Sequence, residues 1–308
     1  MDRPEFKRKS WLSELKSLTQ EYCYDFIDNK SGSLLKVFGF PIIAGIAIKV
    51  IAGKNMFVNY EDTRSACFII MCAAVWCGLF NSISAVVSER ANIKQRAATP
   101  NFYYISYLGS RLIVHFLICL IQSLILSLVF RIEPHRYARG GLVLNSTLLN
   151  FAITIFLLIY VADILGLAIS SIVKKDSWAS ACAPYILIAE LILSGTLFKL
   201  GPAIKPFSTI MESRFGMEAL GSIARLNDLQ LKIQKTVPNV PHEPEKIYDA
   251  TAEHLLRMWA YLGIFVVIET IIAYFFIRSI KIREENKGIR NFLKFFEKNF
   301  ARDSNCRP

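Results

Sequence analysis

Four ionisable side chains lie inside long apolar stretches of the sequence: His115, Asp163, Glu190 and Glu269. Placing such a group in hydrocarbon is costly, so each one is by default a candidate for a functional role, such as lining an ion or substrate pathway. A carboxyl group that is protonated, or hydrogen-bonded to a neighbouring helix, produces the same pattern with a purely structural role. Spacing alone neither decides between these interpretations nor pairs the four groups.

The short motifs of ATPases, metallopeptidases and serine hydrolases are absent from the sequence. A phosphate-binding loop requires G-x-x-x-x-G-K-[ST], and the only Gly-Lys pair, Gly53-Lys54, has no glycine at the required spacing before it. There is also no H-E-x-x-H, no Cys-x-x-Cys and no G-x-S-x-G. We therefore expect a non-catalytic chain without a metal site, and if ATP is used another polypeptide hydrolyses it. A membrane enzyme whose residues converge only in space remains a third hypothesis.

Membrane-spanning helices are the elements that must position these residues. The composition is 53% hydrophobic and the mean hydropathy is +0.37, values that exclude an ordinary soluble domain because its surface must be polar. Six stretches are long enough to cross hydrocarbon as helices. They cover residues 34–53, 65–87, 112–130, 142–173, 177–198 and 258–277. We predict an all-α integral membrane protein with a six-helix transmembrane permease domain over residues 33–278.

The net charge of +11 is concentrated beside the predicted spans. Residues 1–33 hold six lysines and arginines and residues 278–308 hold nine, which places both termini in the cytoplasm by the positive-inside rule. The link after the second span, to which we also assign Arg111, is basic as well. This placement favours a membrane surface over nucleic acid as the partner. With no apolar run before Leu34 we expect no cleavable signal peptide, and we predict a plasma (inner) membrane location.

Two segments outside the spans read as cytoplasmic helices. Within residues 1–32, apolar side chains recur at helical spacing, which predicts an amphipathic connecting helix on the membrane surface or against a partner. These side chains are Trp11, Leu12, Leu15, Leu18 and Tyr22. Residues 88–96 form a polar run without Gly or Pro, which predicts a short coupling helix that either docks onto a soluble partner or is merely solvated.

Two further segments are distinctive. In the outer loop 199–256, residues 201–223 are too apolar for a free loop, so we predict a re-entrant segment between helices 5 and 6 that caps a cavity. The stretch 237–244 then reads as an exposed, proline-stiffened turn. After the last span, residues 279–308 interleave phenylalanines with lysines and arginines, which predicts a basic cytoplasmic tail in contact with anionic lipid.

Small and polar residues, including Asn81, Ser82 and Ser84, lie near the cytoplasmic end of the second span, directly after Phe80 and one turn after Cys77. Such residues in a span usually serve helix packing. A wall that faces the substrate is the alternative, and periodicity does not decide between them.

Four segments of the chain carry a resemblance that extends over nearly its whole length. They are FNSISAVVSER at 80–90, YISYL at 104–108, LSGTLF at 193–198 and SRFGMEAL at 213–220. In this order they resemble the permease domain of the G subfamily of ABC transporters and its bacterial relatives. The sequence departs from that pattern in having no fused nucleotide-binding domain and in carrying the basic tail.

The resemblance implies a dimer of six-helix units around a central pathway, with ATP and Mg bound by separate nucleotide-binding subunits and no cofactor bound by this chain. The second permease chain is either identical or a related one. In this family an aromatic residue of the second span clamps substrate, and Phe80 holds the matching position. Cys77, Asn81 and Ser84 would lie beside it, and Thr196 and Leu197 would form the plug above the cavity.

The resulting hypothesis is a substrate-translocating permease subunit of an ATP-driven exporter for a hydrophobic or amphipathic substrate. Its coupling residues would be Glu89, Arg90, Lys94 and Arg96. We expect Glu89, Arg90 and Lys94 to form ion pairs with the nucleotide-binding subunit. If so, Glu89→Ala uncouples ATP hydrolysis from transport. The alternative is a channel or lipid scramblase, which transports without nucleotide.

Overall fold

The computed structural model describes residues 10–28, 30–52, 56–98, 102–131, 140–195, 201–236 and 245–304, and within these ranges all regular structure is helical. The longer helices are α1 (Trp11–Asp28), α3 (Phe40–Ala52), α4 (Tyr60–Ser82), α7 (Tyr104–Arg131), α8 (Thr147–Ile172), α9 (Asp176–Leu193) and α12 (Ala252–Ser304). The shorter ones are α2 (Lys30–Leu34), α5 (Ala85–Ser88), α6 (Arg90–Ala97), α10 (Glu212–Ile223) and α11 (Leu226–Thr236). A π-helical turn, Leu35–Gly39, joins α2 to α3.

Six helical segments of the described chain are long and apolar enough to cross a membrane, which confirms the predicted architecture. They are Gly32–Ile51, Tyr60–Ser88, Tyr104–Ser127, Thr147–Ile172, Asp176–Leu193 and Ala252–Ile280. The third begins eight residues before the predicted stretch, so Arg111 lies inside α7 and its assignment to the preceding link was wrong. The fourth begins at Thr147 because the hydroxyl of Ser146 accepts a hydrogen bond from the N–H of Leu149 and caps the helix.

Helix α8 is the centre of the fold, packed against α4, α7, α10 and α12. Its contact with α4 is made by backbone approaching backbone. A methyl group added at Gly78 would lie 2.8 Å from the backbone N of Asp163 and closer still to the carbonyl oxygen of Ile159. Gly166 faces Leu79 in the same way, and Ser82 donates a hydrogen bond to the carbonyl oxygen of Asp163. Small residues of this kind allow helices in a membrane to pack closely.

The chain between α9 and α12 folds back into the bundle. Helix α9 ends at Leu193 with Ser194 as its C-cap, and Gly195 then adopts the positive φ of 75° that glycine tolerates best. Helix α10 is buried against α12, α8 and α4, so the second half of the segment predicted to re-enter is packed among the spans, whereas residues 201–210 are largely exposed. The predicted plug residues Thr196 and Leu197, and the predicted turn at 237–244, lie outside the described residues.

Helix α12 continues from the sixth span through the predicted tail as far as Ser304. The backbone therefore has no break near residue 278, where the sequence indicated a boundary between span and tail. Helices α3, α9 and α12 are the most exposed spans and present large apolar side chains outward, including Ile46 on α3, Tyr185 on α9 and Ile264 on α12. In a bilayer these faces contact lipid or another chain.

Candidate functional site

Helices α1, α6 and the first turns of α7 form a three-helix junction at one end of the bundle. Leu18 of α1 packs in one apolar cluster with Ile93 of α6 and Tyr107 of α7. Polar contacts fix the same geometry, because Ser106 Oγ donates to the carbonyl oxygen of Trp11 at 2.9 Å and Arg96 forms an ion pair with Glu21. The predicted amphipathic and coupling helices therefore exist and are held together, although the apolar face of α1 is used against the spans.

A buried ion pair lies at the centre of this junction. Arg111 of α7 is paired with the Oε2 atom of Glu89, the residue that precedes α6, and the hydroxyl of Tyr107 donates to the same oxygen at 2.9 Å. The guanidinium carbon of Arg111 lies 3.4 Å from the centre of the Tyr22 ring, a cation–π contact with α1. One arginine thus joins the start of α6, helix α7 and helix α1.

The contacts continue from Tyr22 into the middle of the bundle. The Tyr22 hydroxyl lies 2.9 Å from Nε2 of His115, and Nδ1 of His115 lies 2.9 Å from Oδ1 of Asp163 on α8. His115 and Asp163 are 1% and 0% exposed. We call the series Glu89, Arg111, Tyr22, His115 and Asp163 the buried polar chain. It connects the start of α6 to α8, the central helix of the fold.

The proton positions in the buried polar chain follow from Tyr22. Burial raises the pKa of Tyr22 to about 12, so its phenol stays protonated near neutral pH. The Tyr22 hydroxyl is therefore available as a donor to Nε2 of His115, and in that tautomer the Nδ1–H of His115 donates to Asp163. The contacts run without a gap from Tyr22 to Asp163, so each member constrains the orientation of the next.

The four predicted coupling residues differ in exposure. Glu89, Arg90 and Arg96 are half-buried: Glu89 binds Arg111, Arg96 binds Glu21, and Arg90 donates to the backbone oxygens of Val173 and Ser171 at the end of α8. Lys94 is exposed, on the side of α6 away from Arg96. The surface that α6 offers to a partner is thus centred on Lys94, and ion pairs of Glu89 and Arg90 with a partner stay a prediction.

The predicted substrate wall is only partly assembled as the sequence suggested. Phe80 is half-buried, with its ring stacked on Phe40 at 5.9 Å and edge-on to Trp76 at 6.4 Å. Cys77 is buried in the core and does not share this exposed face, so its role beside Phe80 stays a prediction. Trp76 was missed, although it lies four residues before Phe80 and therefore on the same helical face.

Asn81 is likewise turned toward α7. Its side-chain N–H donates to Oε1 of Gln122 at 2.8 Å, and Gln122 donates back to Asn81 and to the backbone oxygen of Lys36. Ser84 lies in the turn that follows α4, half-buried, and its carbonyl oxygen accepts from Ser88. These contacts support the helix-packing interpretation of Asn81, and its place on a substrate wall stays a prediction. Phe80 and Trp76 lie on a partly exposed aromatic face.

The aromatic face extends along α4 toward its first turn, through Cys72 and Phe68 at four-residue spacing. At that end a cavity of about 390 Å³ lies between α3, α4 and α10. It is lined by Ile51, Glu61, Arg64, Ser65, Phe68 and Met217, among others. A single helix face therefore carries an aromatic cluster near α6 and an amphipathic cavity at the opposite end.

The intramembrane ionisable residues form two separate groups. His115 and Asp163 belong to the buried polar chain. Glu190 and Glu269 instead lie near Glu212, the first residue of α10, and the three carboxyl groups influence one another. Sequence reasoning missed Glu212 because it stands in a segment between spans, although it directly precedes the SRFGMEAL motif.

Six helical segments long and apolar enough to cross a membrane, with a three-helix junction at one end of the bundle, define a multi-pass membrane protein. Residues 13–212, from α1 to the start of α10, match the family described as ABC-2 type transporter, and this match covers well over half of the chain. The chain belongs to the ABC-2 type transporter family and is a permease component of the ABC transporter kind. A search of curated proteins found no match.

Proposed function

We propose that this permease is the substrate-translocating subunit of an ATP-driven exporter and works as a dimer with separate nucleotide-binding subunits. The observation that carries the proposal is the buried polar chain, because it gives a force applied at α6 a continuous route of directional contacts to α8. Helix α8 is packed backbone to backbone on α4, which carries Phe80 and Trp76. A displacement of α6 therefore changes the substrate-facing helix.

The energy source lies in the partner. ATP and Mg would be bound there and not by this chain, and closure of the nucleotide-binding subunits would favour one of two permease states through their different nucleotide affinities. The exposed face of α6 around Lys94 is the contact surface that we assign to that partner. The resemblance of segments 80–90 and 213–220 to exporter permeases supports the same assignment.

A second permease chain would cover the apolar surfaces of α4 and α9. Trp76 on α4 is exposed, as are Trp178 and Tyr185 on α9. Two copies, identical or related, that face each other across α4 would enclose the aromatic face between them and so form a closed pathway. An aromatic wall with a cavity that also contains Glu61 and Arg64 suits an amphipathic substrate.

The orientation that we propose has both termini in the cytoplasm of a plasma (inner) membrane. It is supported by the fifteen basic residues of the two terminal segments, six in 1–33 and nine in 278–308. The three-helix junction would then lie at the cytoplasmic face, and α10 would lie toward the outside. Membrane lipid would contact the basic end of α12.

Co-purification tests the partner. The tagged chain, solubilised from its native membrane, should bring down an ATP-binding subunit with vanadate-sensitive ATPase activity. Lys94→Glu should reduce this recovery by about tenfold or more, because a cation at a protein interface is replaced by an anion. The matched control is Lys205→Glu, at an exposed position of the turn before α10. Recovery of the chain alone, together with nucleotide-independent transport, would overturn the proposal and establish the channel or scramblase.

The aromatic face provides a second prediction. Trp76→Ala and Phe80→Ala should each raise the half-saturating substrate concentration about tenfold, because an aromatic contact surface worth roughly 1.4 kcal/mol is lost. The matched control is Phe116→Ala on α7, where the ring packs on Phe156 and Tyr160 and not on α4. Substrate-stimulated ATPase activity of the complex is the measurement. Equal shifts in all three variants would show that the α4 face does not bind substrate.

A further inference from the structure

Three buried carboxyl groups from three different helices meet where the chain between α9 and α12 packs into the bundle. Glu190 of α9, Glu212 of α10 and Glu269 of α12 are 4%, 1% and 7% exposed. Each acts electrostatically on at least one of the others. Like charges this close in an apolar environment disfavour their joint ionisation, so the group as a whole must hold protons or cations.

Glu190 has its hydrogen-bond partners within the protein. Its Oε2 atom accepts from the backbone N–H of Ser213 at 3.1 Å, and the Ser213 hydroxyl lies 2.7 Å from the same oxygen and from the carbonyl oxygen of Glu190. These bonds satisfy an N–H group in the first turn of α10, a position where a negative charge is stabilised. Glu190 is therefore the member suited to remain a carboxylate.

Glu212 has no such donors. Both of its carboxyl oxygens are buried without a donor from the described residues, and so is Oε2 of Glu269. Glu269 lies on α12, the helix against which α10 packs most extensively, and its carboxyl group acts on Glu212 more strongly than that of Glu190. Two carboxylates have acceptors and no donor, so they can be joined by a hydrogen bond only when one of them carries a proton. A bound proton would therefore supply the donor that these buried oxygens lack.

No neighbouring cation replaces that proton among the charged groups described on the elements packed around α10. Arg214, two residues after Glu212, donates from Nε to Oε1 of Glu218 and from Nη1 to Oγ of Ser208, each at 2.8 Å. Lys205 on the preceding turn is exposed. On α8 the acidic group, Asp163, is bonded to His115.

Arg64 of α4 lines a cavity with Met217 of α10, but the groups that act on it are Tyr60, Tyr248, Glu61 and Glu245 and not Glu212. From α4, the thiol of Cys67 points at the carbonyl oxygen of Leu220, and Tyr248 packs on Gly221 near the other end of α10. Within the described chain, no three acidic, histidine or cysteine side chains are placed to hold one metal ion. The geometry thus favours a proton over a metal ion as the ligand of the Glu212 and Glu269 pair.

We propose that Glu212 and Glu269 form a proton-binding site. One carboxyl group holds the proton covalently and donates it in a hydrogen bond to an oxygen of the other. This shared proton joins α10 to α12. Loss of the proton leaves two facing carboxylates beside a third, and their repulsion releases α10 from the bundle. The site is independent of the nucleotide-driven export proposed above, because it lies at the end of the fold opposite to α6.

The titration behaviour of Glu212 agrees with this geometry. Burial, together with the carboxyl groups of Glu269 and Glu190, raises the pKa of Glu212 well above its usual value. An acid whose pKa is raised by folding binds more protons folded than unfolded, so the folded state loses stability as pH rises above the ordinary glutamate pKa of about 4.3. Alkaline pH should therefore loosen α10.

Infrared spectroscopy of the purified full-length chain in lipid nanodiscs tests the site without a partner or ATP. At neutral pH the chain should show a carbonyl-stretch band of a protonated carboxylic acid that is missing from the Glu212→Gln/Glu269→Gln double variant. The matched control is Glu253→Gln, an exposed position on the same α12. A band that is absent from the wild-type chain, or that persists unchanged in the double variant, would overturn the proposal.

Chemical labelling of the unmodified chain provides a second measurement that does not depend on a variant folding. A hydrophobic carbodiimide reacts with protonated carboxyl groups in apolar surroundings. Mass spectrometry should locate the adduct on Glu212 or Glu269 at neutral pH, and its yield should fall as pH rises. Labelling that is absent from both residues, or independent of pH, would contradict a titrating shared proton.

Discussion

Arg111→Met should separate the N-terminal helix from the spans and reduce nucleotide-driven transport by about tenfold or more. The substitution keeps an apolar stem of similar length but removes the charge that holds Glu89 and the contact that holds Tyr22. Breaking a buried ion pair from one side typically costs about 3–5 kcal/mol. The Glu89 side chain is 26% exposed, so we expect about 2 kcal/mol here, which is still enough to shift a two-state equilibrium at least tenfold.

The measurement is a double-mutant cycle on thermal unfolding of the purified chain and on transport by the reconstituted complex. Glu89→Gln and Arg111→Met should each lower the free energy of unfolding and the transport rate. The double variant should lose about 1–3 kcal/mol less free energy of unfolding than the sum of the two single losses. Arg257→Met is the matched control, because Arg257 pairs with Glu253 on the exposed surface of α12 and should change stability by less than about 1 kcal/mol. An additive cycle would show that Glu89 acts mainly on a partner.

Apolar length made the spans predictable from the sequence, and a polar run before a proline made α6 predictable. Arg111 was misplaced for a physical reason: the helix begins at Tyr104, while the strongly apolar window begins only at Leu112. A count of basic residues in links therefore included an arginine that is buried and paired within a helix. Its cation–π contact with Tyr22 depends on how α1 packs, which local sequence does not specify.

Helical geometry divides the predicted substrate-wall residues between two faces of α4. Residues four apart share a helix face, so Cys77 and Asn81 point one way and Trp76 and Phe80 another. Which of the two faces is buried follows only from the packing of α7 and α8 against α4. The sequence therefore separates these residues into two helix faces. It does not show which of the two faces is exposed.

The pairing of ionisable residues was beyond sequence reasoning for a related cause. His115 and Asp163 are 48 residues apart, and Glu212 meets Glu190 and Glu269 only because α10 folds back between α9 and α12. Each residue alone reads as an isolated group with a high cost of burial. Their neighbours reduce that cost, and the neighbours are a property of the tertiary fold.

Gly78→Ala should destabilise the bundle strongly, by about 3 kcal/mol, at the upper end of the usual cost of overpacking. The added methyl group would lie 2.8 Å from both the Cβ of Ala162 and the backbone N of Asp163. Backbone atoms of a central helix do not rotate out of the way as a flexible side chain does, so α4 and α8 must move apart. Asp163 would move with α8, and its contact with His115 would lengthen.

The same substitution at Gly263 in α12 is the control, since an added methyl group there meets nothing within 4 Å and alanine is the better helix former. The fraction of monodisperse protein that survives heating in one detergent measures both variants. The temperature at which half of the protein is still monodisperse should be clearly lower for Gly78→Ala than for the wild-type chain. For Gly263→Ala this temperature should be unchanged or slightly higher. Equal midpoints would show that α4 and α8 separate without cost, and a rigid α4–α8 contact could then not carry motion from α6 to Phe80.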